Sequence, residues 1–128
     1  MGRALNTATT LVAIAAGAVL GAWSRWGLSV WLNRSALPLP MGTLVANLVG
    51  GLLIGAFLGA LERRPEWAGL RPFLVTGFLG ALTTFSTFSA ESLALIQRGA
   101  WAHALSHTLA HTLGSLVAAA IGWRLLRG

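Results

Sequence analysis

Cysteine and lysine are absent from this chain, and acidic residues are nearly so: three glutamates stand against nine arginines in 128 residues. Without cysteine there is no disulfide framework and no thiolate metal site. Charged residues make up only 9% of the sequence while hydrophobic ones make up 55%. A soluble domain carries about 25% charge, so this chain lacks the means to cover a water-facing surface. It reads as an integral membrane protein, and its length allows one small bundle. The net charge of +6 does not make it a nucleic-acid binder. The arginines are scattered rather than gathered into a stripe on which phosphates could sit. Anionic lipid headgroups are the expected partners of Arg63, Arg64, Arg71, Arg124 and Arg127. Enzymatic chemistry has little support, with one carboxylate inside a predicted span, no cysteine and no paired acid and base.

A spanning helix needs about 20 mostly apolar residues. Four segments qualify, residues 11–32, 41–61, 72–96 and 101–123. Pro38 and Pro40 punctuate the first connection, Pro65 and charged residues the second, and Arg98-Gly99 forms a tight third turn. Trp31, Trp67, Trp101 and Trp123 fall at segment ends, where amphipathic rings prefer to sit. Residues 11–23 have the length of a signal-peptide core, but only Arg3 precedes them and apolar character resumes after Arg25. An uncleaved first helix is expected. An even number of spans puts both termini on one side, together with Arg3, Arg63, Arg64, Arg71, Arg124 and Arg127. Arg34 and Arg98 lie on the other side, with Arg25 inside a span nearer that end. Taken alone, the positive-inside rule places both termini in the cytoplasm.

Polar residues inside the spans are the candidates for function. Residues 77–91 read GFLGALTTFSTFSAE. Hydroxyls and phenyl rings at the centre of a membrane segment are unlike a lipid-facing surface. Thr83, Thr84, Ser86, Thr87 and Ser89 compete for backbone hydrogen bonds, and with Gly77 and Gly80 they predict a third helix broken near the midplane. A break frees carbonyls, which bind cations; a continuous helix with back-bonded hydroxyls is the alternative. Phe85 and Phe88 share a face, and their electropositive ring edges can meet an anion. In the second segment Thr43 and Asn47 share a face, followed by a Gly51, Gly55, Gly59 ladder suited to close helix packing. In the fourth, His103, His107, His111 and Ser115 form one stripe. Histidines so spaced can bind a metal or relay protons. With no carboxylate on that helix to orient them, a neutral lining of an interface or vestibule is favoured. Arg25 and Glu91 are the charges placed within spans, both near segment ends from which side chains can snorkel.

The third-segment motif, together with GTLVANLVG at residues 42–50 and GAVLGAWSRW at 17–26, resembles the Fluc (CrcB-type) fluoride channel family; the fourth segment is similar more loosely, through Gly114-Ser115-Leu116. The resemblance covers most of the chain. It implies four-helix subunits paired as an antiparallel, dual-topology homodimer in the inner (plasma) membrane of a prokaryote. Two pores would carry fluoride passively out of the cytoplasm. Asn47 would donate to fluoride, Phe85 and Phe88 would offer ring edges, and Thr43 and Ser115 would belong to polar tracks. Thr84, Thr87, His107, His111 and Glu91 complete the candidate fluoride path. The carbonyls of Gly80 and Thr83 would hold a structural sodium ion, not transported, at the dimer centre. In the family the positions of His107 and His111 are often Tyr and Ser, and the arginine bias is greater than dual topology calls for. The competing reading is a proton-coupled exporter of the four-helix multidrug type. Such carriers use a carboxylate in the first helix, and this chain has none there.

Overall fold

The computed structural model describes residues 6–34 and 36–128; Arg3, counted above for orientation, lies outside them. Helix α1 (Thr7–Leu32) starts where the Asn6 side chain accepts the Thr9 N–H at 2.8 Å, an N-cap that satisfies one orphan donor. It stops at Asn33, whose Oδ1 accepts the Gly42 N–H at 2.6 Å and so pins the end of α1 to the start of α2 (Met41–Arg63). Pro40 precedes α2 with φ −70°, the angle its ring imposes.

The third span, Pro72–Gln97, is composite. A 3₁₀ turn (Pro65–Leu70) leads into a π-wound stretch (Pro72–Leu79), then α3 (Gly80–Leu82) and α4 (Phe85–Gln97). Between α3 and α4, Thr83 and Thr84 are extended, with ψ of 157° and 124°. Gly99, at φ +73°, makes the turn into α5 (Trp101–Leu126). The described residues contain helices and no strand, and four of these segments are long and apolar enough to cross a membrane. The protein is a multi-pass membrane protein.

In lipid, helices gain little from hiding apolar surface, so association rests on close packing and interhelical hydrogen bonds. Glycine makes the close packing possible. A Cβ on Gly51 would lie 2.7 Å from the Ser115 carbonyl oxygen, and one on Gly59 would lie 2.5 Å from that of Trp123. The α2 ladder thus rides on the backbone of α5. The same device seats α1 on the third span, through Gly17, Gly21 and Gly77. Ala46, Leu79 and Leu82 form the buried apolar centre. Leu11, Val12, Leu113, Leu116 and Leu125 point outward, as lipid contact requires.

Candidate functional site

The site grows from Thr83 and Thr84. In a continuous helix the carbonyls of Gly80, Ala81 and Thr83 would receive the N–H groups of Thr84, Phe85 and Thr87. Here the Thr84 N–H goes instead to Asn47 Oδ1 at 2.8 Å, and the Thr87 N–H goes to Thr84 Oγ1 at 3.1 Å, capping α4. Arg25 takes the Ala81 carbonyl through Nε at 3.0 Å. Arg25 is therefore tied to the backbone at the α3–α4 junction, a role its place near a segment end did not reveal.

Asn47 is held from both sides. Its Nδ2 donates to the Thr84 carbonyl at 3.0 Å while its Oδ1 accepts the Thr84 N–H. This paired contact fixes which end of the amide is which. Nδ2 also lies 2.8 Å from His111 Nδ1, and since Nδ2 can only donate, Nδ1 accepts. The neutral His111 ring then carries its proton on Nε2.

A second chain of polar contacts runs beside the first. Thr43 Oγ1 donates to Glu91 Oε1 at 2.5 Å. Glu91 Oε2 lies 3.3 Å from His107 Nε2, at ion-pair distance but outside hydrogen-bond geometry, and neither atom makes a hydrogen bond among the described residues. His107 is fully buried and His111 is 4% exposed. Their rings stand 4.4 Å apart edge to face, and the Phe88 ring lies 5.5 and 4.7 Å from them. Phe85 meets Phe88 edge-on at 5.3 Å and is itself 76% exposed. His103, by contrast, is exposed. The expected four-residue stripe on α5 thus divides into one outward histidine, two histidines that face Glu91 and Phe88, and a half-buried Ser115.

A groove of about 660 Å³ opens beside these residues, with Asn47, Thr84, Phe85, Phe88, His111 and Ser115 on its walls. Gly80 and Thr83 line it as well. Thr43 and Glu91 are not on its walls but pair with each other in the second polar chain, and Thr87 contributes its backbone N–H to the Thr84 cap. Thr112 also lines the groove, although the sequence reading passed over it. Its place between His111 and Ser115, one residue from the first and three from the second, was the available signal. The arrangement brings neutral donors, aromatic rings and backbone carbonyls around one space, and no arginine among the described residues lines it.

The CrcB-like protein, Camphor Resistance (CrcB) family matches residues 12–123. A relative named fluoride-specific ion channel FluC from Aromatoleum aromaticum is 52% identical over 113 residues, covering 88% of this chain and 86% of its own. Proteins of the same name from Bordetella petrii and Marinobacter nauticus are 52% and 49% identical, covering 87% and 89% of this chain and 86% and 91% of theirs. Four apolar spans, a Thr/Phe motif at the α3–α4 junction and this length of shared sequence lead to one assignment: the chain belongs to the CrcB-like family.

Proposed function

We propose that this protein is a fluoride-selective channel, not an enzyme, that lets cytoplasmic fluoride leave the cell down its gradient and so limits fluoride toxicity. The observation that carries this reading is the Asn47–Thr84–His111 contact set, which lines one groove together with the Phe85 and Phe88 rings. Fluoride is small and strongly hydrated, so a pathway must replace water with donors. Asn47 Nδ2 is such a donor, and an arriving anion exchanges with the Thr84 carbonyl or His111 Nδ1 for its hydrogens. Ring edges at Phe85 and Phe88 add attraction without the deep trap of a full positive charge. The hydroxyls of Thr43, Thr84, Thr87 and Ser115, with His107, His111 and Glu91, extend the polar route.

The working unit in this reading is an antiparallel, dual-topology homodimer with two pores, set in the inner membrane of a prokaryote. Two features support a second copy. A groove lined with amide and hydroxyl groups is costly against lipid tails and calls for cover by protein. Phe85, largely bare in the single chain, needs the same cover. The third span breaks near the midplane in this arrangement. The carbonyls of Gly80 and Thr83, whose helical donors are diverted to Asn47 and to Thr84 Oγ1, fit a hard cation such as sodium. Bound between two copies, that ion supplies positive charge that offsets the cost of an anion in the bilayer.

The test is ion efflux from proteoliposomes, fluoride against chloride, for the wild type and for Asn47, Phe85 and Phe88 variants. Efflux of fluoride alone, reduced in Asn47→Ala and Phe88→Ile, supports the reading. Equal leakage of both ions, or variants that behave as wild type, contradicts it. Crosslinking of termini labelled from opposite faces tests the antiparallel pairing.

A further inference from the structure

We propose that Glu91, His107 and His111 form a binding site for a divalent transition-metal ion of the zinc class, separate from the Gly80 and Thr83 carbonyls. The three side chains come from two elements, α4 and α5, and each has a potential ligand atom within 4.8 Å of the others. Glu91 Oε2, both ring nitrogens of His107 and His111 Nε2 are buried and make no hydrogen bond among the described residues, although Glu91 Oε2 and His107 Nε2 face each other at 3.3 Å. Buried polar atoms are nearly always paired, and four such atoms in one cluster mark a place built to hold something. Two imidazoles and a carboxylate are a ligand set of catalytic zinc sites, which keep a fourth position open. Calcium and magnesium prefer oxygen-only sets. Ligand atoms around a tetrahedral zinc lie roughly 3.4 Å apart; Glu91 Oε2 and His107 Nε2 already stand 3.3 Å apart, and the widest pair has to draw in from no more than 4.8 Å.

Asn47 links this site to the groove. Because Thr84 fixes the amide, Asn47 Nδ2 donates to His111 Nδ1 and the ring proton sits on Nε2. A metal at Nε2 needs that proton on Nδ1, where it would point at another donor. The proton changes nitrogen and none leaves the ring, but the contact with Asn47 turns from attractive to repulsive. Metal binding through His111 Nε2 therefore requires Asn47 to release the ring, which weakens the wild-type site without closing it. Metal-bound histidines normally donate their second N–H to an acceptor. Asn47→Asp supplies one: one oxygen can still accept the Thr84 N–H while the other, turned away from the Thr84 carbonyl to which Nδ2 donated, receives the His111 Nδ1–H.

The experiment is equilibrium dialysis of the full chain in lipid nanodiscs against Zn²⁺, with elemental analysis of the bound metal. Binding of about one zinc per chain is expected, lost in His107→Ala and in His111→Ala and retained in His103→Ala. Asn47→Asp should bind about 10-fold tighter or more. In the same nanodiscs, Cu²⁺ as a probe should show an electron paramagnetic resonance signal with coupling to two nitrogens. Absence of binding in the wild type, loss of binding in His103→Ala, or no gain in a folded Asn47→Asp overturns the proposal. These readouts do not involve fluoride, so failure of the channel reading leaves them standing. If that reading holds, Zn²⁺ also slows fluoride efflux in the wild type and not in His107→Ala.

Discussion

The two faces of α5 are held by opposite means. Toward α2, its backbone meets the Gly51, Gly55 and Gly59 ladder so closely that no side chain fits between them. Toward α4, it presents His107 and His111 to Glu91 and Phe88, His111 also reaching Asn47 of α2, with buried polar atoms that make no hydrogen bond among the described residues. The first face trades side chains for packing, the main source of helix association in lipid. The second leaves donors and acceptors unsettled, a costly condition in a low-dielectric interior. The contrast separates a rigid scaffold from a region able to exchange partners. Substitutions on the scaffold face should cost stability, and those on the polar face should cost transport.

The largest effect is expected at Gly55. A Cβ there falls on the Ala119 carbonyl oxygen, so Gly55→Leu should prevent the folded bundle, with loss of monodisperse elution and of a cooperative melt in detergent. A normal melt would break the contrast at its scaffold end. Next comes Asn47→Ala, which removes three hydrogen bonds at the groove wall. A hydrogen bond to an ion is worth about 1.5–3 kcal/mol, so fluoride efflux should fall about tenfold or more while helicity by circular dichroism is kept. Loss of folding with no separable transport effect would place Asn47 in the scaffold instead. Phe88→Ile should lower efflux several-fold, in line with the roughly 0.5–1.5 kcal/mol attached to aromatic geometry beyond area. Thr84→Ala deletes the α4 cap and should lower stability by about 1 kcal/mol, read as a reduced melting temperature. Least affected is Glu62→Gln. Among the described residues Glu62 accepts one exposed hydrogen bond, from Trp123 Nε1, and the variant should stay within about 0.5 kcal/mol of wild type by the same melt.

The spans were legible because lipid imposes a length and a composition that any window of sequence displays. The glycine ladder was legible too, since helix periodicity alone places Gly51, Gly55 and Gly59 in one row. The hydroxyls of residues 83–89 marked this segment as unlike a lipid-facing one, although nothing in the sequence marked the π-wound stretch before it. Partnerships across helices were hidden. The histidine stripe was read without an acid to orient it because α5 contains none. Glu91 arrives from α4, and its approach to His107 depends on how the two helices are rotated, which spacing along either one cannot encode. The same limit hid the link from Arg25 to the Ala81 carbonyl, a contact across 56 positions. It also hid the engagement of Asn47, because a sequence shows the donors an amide has and not the acceptors already holding them.

The most direct measurement is fluoride release from liposomes reconstituted with the purified chain, followed by a fluoride electrode, with chloride-loaded vesicles alongside. Rapid fluoride loss with chloride retained is the predicted result. Vesicles that keep their fluoride as well with the protein as without it would contradict the assignment of the Asn47, Phe85 and Phe88 groove as an anion path.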